Sequence, residues 1–196
     1  MGKIKHYTLD TNVFRYKTEE NNLSNLKYQT HKFWKKIKDE ITNNEAILVI
    51  PKEVINELEV QSFTLKDSQV KKINKLISLC IEVAPERLTQ EMEHLIRNMQ
   101  AYIRANFKRE LGRKQVEYGG VSDARILYTA YCQDSILVTA NVRDFLLYPL
   151  LYPQGEDILY DLKENDFVRI PCEGYEKIHE DAQFKSLLGK FYTLDN

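Results

Sequence analysis

Cysteine is scarce in this chain, with three residues among 196. Cys80, Cys132 and Cys172 are far apart in the sequence and form no C-x-x-C pair. This spacing excludes the common patterns of a structural zinc site and of a disulfide framework, and it is typical of proteins from reducing compartments. We therefore expect a cytoplasmic location.

Long hydrophobic runs are missing as well. The first ten residues contain no apolar segment like that of a secretory signal peptide, and no window approaches the ~18 apolar residues of a membrane span. We expect the protein neither to be secreted nor to insert into a membrane. The four histidines are scattered without the spacing of metal ligands, and we assign them no role.

The chain also lacks an excess of charge of either sign, because 28 Lys and Arg stand against 29 Asp and Glu. A nearly neutral protein exerts no long-range attraction on nucleic acid, so phosphate binding would have to come from local basic patches. The hydrophobic fraction of 43% excludes an intrinsically disordered chain and predicts a folded globular protein.

Short β-branched and aromatic runs alternate with amphipathic helical patterns along the chain. We predict strands at 4–9, 46–50 and 135–139, with further extended pieces at 81–84 and 167–170. Polar residues 18–30 predict a loop, and helical patterns lie between the extended segments at 4–9, 46–50, 81–84 and 135–139. Because parallel strands need an intervening crossover, this alternation predicts an α/β fold of three layers, α/β/α, around a central, largely parallel sheet.

The predicted fold occupies most of the chain. We assign residues 1–171 to one domain and residues 172–196 to a C-terminal extension that packs on it. The extension contains an apolar cluster at helical spacing, formed by Phe184, Leu187, Leu188 and Phe191.

Four acidic residues lie where the predicted fold brings separate segments to one edge of the sheet. Asp10 directly follows the strand at 4–9, and Glu57 lies two turns into the helix after the second strand. Asp123 opens the helix before the strand at 135–139, and Asp144 follows that strand. Ligands of open parallel sheets collect at the carboxyl ends of the strands, so we expect the four side chains to converge.

Converging carboxylates repel one another and raise one another's pKa unless a cation neutralises them. The hard divalent cations Mg²⁺ and Mn²⁺ prefer such oxygen ligands. These ions also assist the hydrolysis of phosphodiester bonds, in which they hold the attacking and the leaving oxygen. The pattern therefore indicates a Mg²⁺ or Mn²⁺ site with nuclease chemistry.

The segments around the four residues resemble the acidic motifs of PIN-domain ribonucleases. They occur in the family's order at 7–14 (YTLDTNVF), 49–59 (VIPKEVINELE), 122–127 (SDARIL) and 138–145 (VTANVRDF). The resemblance implies a PIN-like fold and a metal-dependent endoribonuclease. It also implies that the catalytic residues and metal ligands are Asp10, Glu57, Asp123 and Asp144.

Three neighbouring residues receive supporting roles from the same resemblance. Asn12 supports the first aspartate, and Thr139 is expected to hydrogen-bond to Asp10 or to a water on the metal. Many PIN domains have an aspartate where this chain has Asn141, so we assign the fourth acidic function to Asp144 and a water-orienting role to Asn141.

Within the family, the motifs are most similar to VapC-type toxins. That similarity implies action on RNA in the cytoplasm, a cognate antitoxin protein and a homodimer. Two alternatives stay open: a PIN nuclease of RNA processing or DNA repair, and a degenerate module that binds nucleic acid or protein without cleaving. Each acidic residue also has a structural interpretation, as a turn or helix cap or, for Glu57, as a solvated helix residue.

A locally basic stretch with interleaved aromatics, residues 97–114, is a candidate track for RNA phosphates. A solvated helix face is an equally good interpretation of the same pattern. Together with a further arginine beside the fourth acidic residue, the RNA-binding candidates are Arg104, Lys108, Arg109, Arg113, Lys114 and Arg143.

The assignment of the fourth acidic function can be tested with two variants. Asp144→Asn is expected to weaken Mg²⁺ binding and to lower turnover by on the order of a hundredfold, as the loss of a ligand or its support typically does. Asn141→Ala should be milder, because a neutral amide does not offset the charge of a divalent cation. Single-turnover assays at saturating metal measure both, and the opposite ranking would contradict the assignment.

Overall fold

The computed structural model describes residues 4–18, 25–85, 87–112, 117 and 119–195. These residues form one six-stranded sheet in the order β3-β2-β1-β4-β5-β6. Neighbouring strands pair in parallel except β5 and β6, which are antiparallel, so the predicted central, largely parallel sheet is confirmed. The strands are β1 (Lys5–Leu9), β2 (Ala46–Pro51), β3 (Ile81–Val83), β4 (Ile136–Thr139), β5 (Leu159–Asp161) and β6 (Asp166–Phe167).

The described residues also form eight α-helices and two 3₁₀ turns. The turns cover Val142–Asp144 and Tyr148–Leu151. In this part of the chain no helix combines the length and the hydropathy of a membrane span. The helices are α1 (Thr11–Thr18), α2 (Asn25–Thr42), α3 (Lys52–Ser62), α4 (Asp67–Ile77), α5 (Gln90–Asn106), α6 (Val121–Cys132), α7 (Cys172–Glu180) and α8 (Ala182–Asp195).

The side chains of β1 show why helices cover both faces of the sheet. Successive side chains of a strand point to opposite faces. Tyr7 contacts α2, where its hydroxyl donates to Glu40 at 2.8 Å. The next residue, Thr8, points the other way and lies 2.6 Å from Ser135 Oγ, which donates to the carbonyl of Ala130 in α6. The sheet therefore lies between two helical layers, and the three-layer α/β/α prediction is confirmed.

The strand order creates a crevice at the centre of the sheet. β2 and β3 follow β1 on one side, whereas β5 follows β4 on the other side, so the direction of winding reverses between β1 and β4. In open α/β sheets, ligands bind at such a reversal, outside the carboxyl ends of the strands. Asp10 follows β1 and Thr139 ends β4, so the fold itself brings both residues to this crevice.

Several elements differ from the sequence prediction. The predicted loop at 18–30 is wrong for residues 25–30, which form the first turns of α2. These residues are polar because only Thr30 among them is buried. Residues 19–24 lie outside the described residues. Helix α1 and strand β5 were not predicted, because eight and three residues are too short to show a clear period. The late strand is Asp166–Phe167 rather than 167–170.

The C-terminal helices pack on the helical layer that contains α5 and α6. Phe184 and Phe191 of α8 are fully buried, and the ring of Phe191 lies 4.9 Å from that of Tyr131 in α6. The hydroxyl of Tyr102 in α5 donates to Asp181 at 2.8 Å. The buried apolar side chains of α8 belong to the same contiguous core as those of the sheet.

Helix α7 approaches the turn after α5 so closely that Gly174 is required there. A Cβ added at Gly174 would stand 2.0 Å from the carbonyl oxygen of Glu110, a contact that no side-chain adjustment can relieve. Gly189, in the middle of α8, has nothing within 4 Å of an added Cβ. The same glycine-to-alanine substitution therefore creates a steric clash at Gly174 and none at Gly189, so the two positions can be compared directly.

Gly174→Ala is expected to destabilise the protein by about 1–3 kcal/mol or more, because α7 must move away from Glu110. Gly189→Ala should instead stabilise it by about 0.5–1 kcal/mol, because alanine favours the helix. Urea denaturation of both variants measures the free energies of unfolding. A neutral Gly174→Ala would show that α7 does not rest against this turn in solution.

Candidate active site

Asp10 is a buried carboxylate at the crevice between β1 and β4. Its residue is 5% exposed. One carboxylate oxygen accepts a hydrogen bond from the backbone N–H of Thr11 at 2.6 Å. The other accepts from Asn12 Nδ2 and from Thr139 Oγ1, both also at 2.6 Å. These three donors hold the carboxylate in one orientation.

Asn12 and Thr139 also join the two central strand ends. The amide oxygen of Asn12 accepts from the backbone N–H of Ala140 at 2.8 Å. The hydroxyl of Thr139 accepts from the N–H of Asn141 at 2.8 Å while it donates to Asp10. Both residues predicted to support Asp10 therefore contact it, and both link it to the segment that follows β4.

Glu57 reaches the same region from α3. Pro51 ends β2 and is the N-cap of this helix, with an extended backbone conformation, and Glu53 and Glu57 then lie one turn apart on one helix face. Glu57 accepts hydrogen bonds from the hydroxyls of Thr11 in α1 and Ser122 in α6. The same serine hydroxyl lies 3.0 Å from Glu53, so Ser122 is shared by two carboxylates.

Asp123 lies in the first turn of α6, where its carboxylate reaches back to the backbone N–H of Gly120 at 2.7 Å. This is one half of a capping box, and a carboxylate is also favoured at a helix N-terminus by the helix dipole. The capping interpretation of Asp123 thus describes a real contact, but that contact uses only one of the two carboxylate oxygens.

One cleft of about 330 Å³ brings most of the predicted residues together. Three of the four carboxylates line it, from the residue directly after β1 and from α3 and α6, together with Asn12 and Asn141. Asp144 does not line the cleft; it accepts a hydrogen bond from the Asn141 amide and lies behind it. The lining residues are Asp10, Thr11, Asn12, Arg15, Tyr16, Glu57, Gln61, Asp123 and Asn141.

Burial and the charges of neighbouring acidic groups raise the pKa values of Asp10, Asp123 and Asp144. Burial raises the pKa of Asp10 to about 7, assisted by the charges of Asp123 and Glu57 and opposed by the hydrogen bonds from Thr139 and Thr11. The pKa of Asp123 is raised by burial and by Glu57. For Asp144, burial and then the charge of Asp123 raise the pKa to about 6. The carboxylate of Asp144 therefore interacts electrostatically with Asp123, although Asp144 does not line the cleft.

The cleft has the chemistry of a divalent cation site without a preformed set of ligands. Its donors are carboxylate and amide oxygens, which Mg²⁺ and Mn²⁺ prefer. None of the ion pairs among the described residues includes Asp10, Glu57 or Asp123. Yet no three His, Cys, Asp or Glu side chains in the described ranges stand as a group that could hold a metal. The two oxygens of Glu57 each accept one hydroxyl hydrogen bond, from Thr11 and Ser122.

Sequence reasoning missed Arg15, which lines the cleft beside the acidic residues. It follows Thr11 by four positions on α1, so the two share a helix face, and its guanidinium donates to the side chain of Gln61. That spacing was visible in the sequence. The predicted RNA-binding residues Arg104, Lys108, Arg109 and Arg143 do not line the cleft, and Arg113 and Lys114 lie outside the described residues.

Gln100 of α5 is a second missed residue, and it connects the segments that carry Asp123 and Asp144. Its buried amide donates to the backbone carbonyl of Asp144 at 2.8 Å, and its oxygen has no hydrogen-bond partner among the described residues. A Cβ at Gly119 would stand 2.5 Å from that oxygen, so the turn before α6 packs directly on it. Only an isolated glutamine on an apolar helix face signalled this contact.

Comparison with known proteins leaves the family undecided. No protein-family model and no curated protein matches the chain. Among solved structures, VapBC2 from Rickettsia felis bound to a promoter DNA fragment aligns with a TM-score of 0.45 and 17% identity. VapBC-1 from nontypeable Haemophilus influenzae aligns with a TM-score of 0.41 and 22% identity. Both alignments cover 71% of this chain and 90% of the other. Similarity at this level supports no conclusion about activity.

The raised pKa of Asp123 predicts how the metal-free protein responds to its neutralisation. A carboxyl group whose folded pKa is raised contributes stability that is fully present below its unfolded pKa and is lost as the pH rises through the folded value. Asp123→Asn should therefore raise the melting temperature by roughly a few degrees at pH 8, and the gain should shrink towards pH 4. The amide oxygen can still accept from Gly120.

Calorimetry with chelator present measures this pH dependence, with Asp39→Asn on the exposed face of α2 as the control for loss of one charge. If Asp123→Asn instead unfolded the domain, Asp123 would be a structural cap and not part of a repulsive cluster.

Proposed function

We propose that this chain is a metal-dependent endoribonuclease that hydrolyses RNA phosphodiester bonds with Mg²⁺ or Mn²⁺. The observation that carries the proposal is the cleft in which Asp10, Glu57 and Asp123 lie together, none of them in an ion pair with a described residue; Arg15, which lines the same cleft, donates to Gln61. A structural role for each residue accounts for its own hydrogen bonds but not for the accumulation of buried and half-buried acidic groups, which lowers stability and is retained where it serves a ligand.

Asp10, Glu57 and Asp123, which line the cleft, would hold the ion. Asp144, which accepts a hydrogen bond from Asn141, would add negative charge nearby. When bound, a divalent cation acts as a Lewis acid on the phosphate and offsets the charge that develops there. The donor set fits this role because every candidate ligand is a hard oxygen.

The protein's own groups orient the reaction. Thr139, Asn12 and the backbone of Thr11 fix Asp10 before substrate arrives, so no reorganisation of this carboxylate is needed during the reaction. Arg15, held by Gln61 at the cleft, offers several N–H donors to a non-bridging phosphate oxygen.

RNA is proposed as the substrate because the four motifs resemble those of PIN ribonucleases. The same resemblance extends the proposal to a VapC-type toxin with a cognate antitoxin protein and a homodimer, which light scattering on the purified protein tests. PIN nucleases of RNA processing or DNA repair are the alternative within this chemistry.

A non-cleaving module that binds nucleic acid or protein is a second candidate. It is favoured by the neutral Asn141 in the cleft and by the absence of a preformed metal group in the described part of the chain. The same acidic cleft would then hold a basic side chain of a partner, or no ligand.

Two glutamates of α3 provide a matched test of the proposed chemistry. Glu57→Gln should lower RNA cleavage in Mg²⁺ or Mn²⁺ by about a hundredfold or more, because it removes one of the carboxylates. Glu59→Gln changes the same group two positions later on the exposed side of the helix and should leave the rate near that of the parent protein. End-labelled RNA and single-stranded DNA panels, with and without chelator, measure both.

The outcomes separate the candidates. Cleavage that Asp10→Asn leaves unchanged would indicate a contaminating nuclease and remove the proposal. Metal-dependent cleavage of DNA alone would favour the repair alternative, and binding of RNA without cleavage in either metal would favour the non-cleaving module.

A further inference from the structure

Arg125 of α6 joins three helices through two ion pairs. Its Nη1 lies 3.1 Å from Glu53 in α3, and its Nε lies 3.0 Å from Glu93 in α5. The side chain of Arg125 is 41% exposed, whereas those of Glu53 and Glu93 are 19% and 14% exposed. Partly buried ion pairs are screened less by solvent than those on an open surface. Arg125 therefore fixes the position of Glu53 relative to α6.

Ser122 continues this contact to the acidic cleft. It lies three positions before Arg125, so the two side chains share a face of α6. Its hydroxyl lies 3.0 Å from Glu53 and also contacts Glu57, which lines the cleft. A chain of contacts thus runs from Arg125 to Glu57. We call Arg125, Glu53 and Ser122 the Arg125 network.

The Arg125 network gives the two glutamates of α3 different surroundings. A hydroxyl group carries one proton, so Ser122 donates to only one of the two carboxylates at a time. Glu53 has the guanidinium of Arg125 beside it. Glu57 forms no ion pair with any residue that the structure describes. Glu57 is therefore held in the cleft by the hydroxyls of Thr11 and Ser122 and not by a cation.

We propose that Arg125 is a positioning residue for Glu57, which acts through Glu53 and Ser122 and orients Glu57 towards a divalent cation in the cleft. The inference rests on the proposed function in that it takes the cleft to bind such an ion. Asp123 directly follows Ser122, so the same contacts also hold α3 against the helix that carries Asp123. Residues that orient metal ligands typically change metal affinity by about 10–100-fold when they are replaced.

A purely structural role for Arg125 would make its two ion pairs equivalent, because each joins α6 to one neighbouring helix. Only the contact with Glu53 continues to a residue of the cleft. The Glu93 carboxylate has no hydrogen-bond partner but Arg125 among the described residues. Replacement of Glu93 therefore provides a matched control.

Isothermal titration calorimetry with Mn²⁺ alone separates the two roles. Arg125→Gln should weaken Mn²⁺ binding by about tenfold, because Glu53 and Ser122 lose the group that fixes them. Glu93→Gln removes the other partner of Arg125 and should bind Mn²⁺ within about twofold of the parent protein, since a single partly exposed ion pair contributes little. The sign is decisive, because the loss of a positive charge would by itself tighten the binding of a cation.

Ser122 provides a rescue by a conservative change. Ser122→Ala removes the hydroxyl and should weaken Mn²⁺ binding by about tenfold, whereas Ser122→Thr keeps a hydroxyl and should bind like the parent protein. Because Arg125 acts through Ser122, the addition of Arg125→Gln to Ser122→Ala should cause no further loss. Circular dichroism verifies that each variant folds, and if Arg125→Gln does not, the two Ser122 variants decide.

A measurement without metal tests the Arg125 network independently of the nuclease proposal. With chelator present at pH 8, Glu57→Gln should raise the melting temperature by roughly 2 °C more in the Arg125→Gln protein than in the parent, because Glu53 then repels Glu57 without its arginine. Glu59→Gln removes the same charge on the exposed side of α3 and should shift both proteins equally.

The network proposal and the nuclease proposal can fail separately. Mn²⁺ binding without RNA cleavage would remove the nuclease and leave the network. If the parent protein bound no Mn²⁺, the proposed function would fail, and the melting temperatures would decide whether Arg125 is coupled to Glu57. Tighter Mn²⁺ binding by Arg125→Gln, equal losses in the Arg125 and Glu93 variants, no rescue by Ser122→Thr, or equal effects of Glu57→Gln in both backgrounds would overturn the network proposal.

Discussion

A carboxylate buried between two parallel strand ends needs donors, and the contact of Asp10 with Thr139 supplies one from the neighbouring strand. The cost of burying this charge is lowered by hydrogen bonds from Thr11, Asn12 and Thr139, which come from both β1 and β4 or the residues directly after them. The arrangement therefore requires the two strands to end at the same level. The register in which Leu9 pairs with Val138 satisfies this requirement. Glu57 and Asp123 line the same cleft as the carboxylate that is held in this way.

Helix α1 lies between the two surfaces of opposite charge. Its residues Thr11 and Arg15 line the acidic cleft, whereas Lys17 lines a lysine-rich groove whose other lining residues come mainly from α2 and α4. The near-zero net charge of the chain hides this separation, because it averages an acidic cleft with a basic groove. Composition excluded a uniformly basic protein but could not reveal local fields, which depend on which helix faces meet.

The parts of the site that local sequence determines were predictable. Asp10 follows a strand and Asp123 starts a helix, and both positions can be read from short patterns. The contacts that join distant segments were not predictable: Ser122 meets Glu57 across 65 positions, and Gln100 meets Asp144 across 44. Such pairs depend on helix packing, which a single sequence does not encode in any short motif.

The strands of the sheet also divide into those that a short sequence pattern predicts and those that it does not. The strands β2 and β4 were found because central parallel strands have continuous apolar runs, and β1 was found from its β-branched and aromatic residues. The strands β5 and β6 have three and two residues, which is too few to show a period. Lys32, Lys35 and Lys38 stand at helical spacing in the sequence of α2. The helix was nevertheless predicted from its apolar residues alone, since a row of charged residues usually marks a solvated helix face.

The short strands at both ends of the sheet have a consequence for how the protein behaves at high concentration. At one end, β3 offers three residues, and Glu82 within it pairs with Lys52 at 3.1 Å. At the other end, the two residues of β6 run antiparallel to β5 and reverse the direction of the sheet. Edges this short present few free backbone groups to a neighbouring chain, and charged side chains on them discourage strand pairing. The sheet is therefore protected against growth into an intermolecular aggregate at either edge.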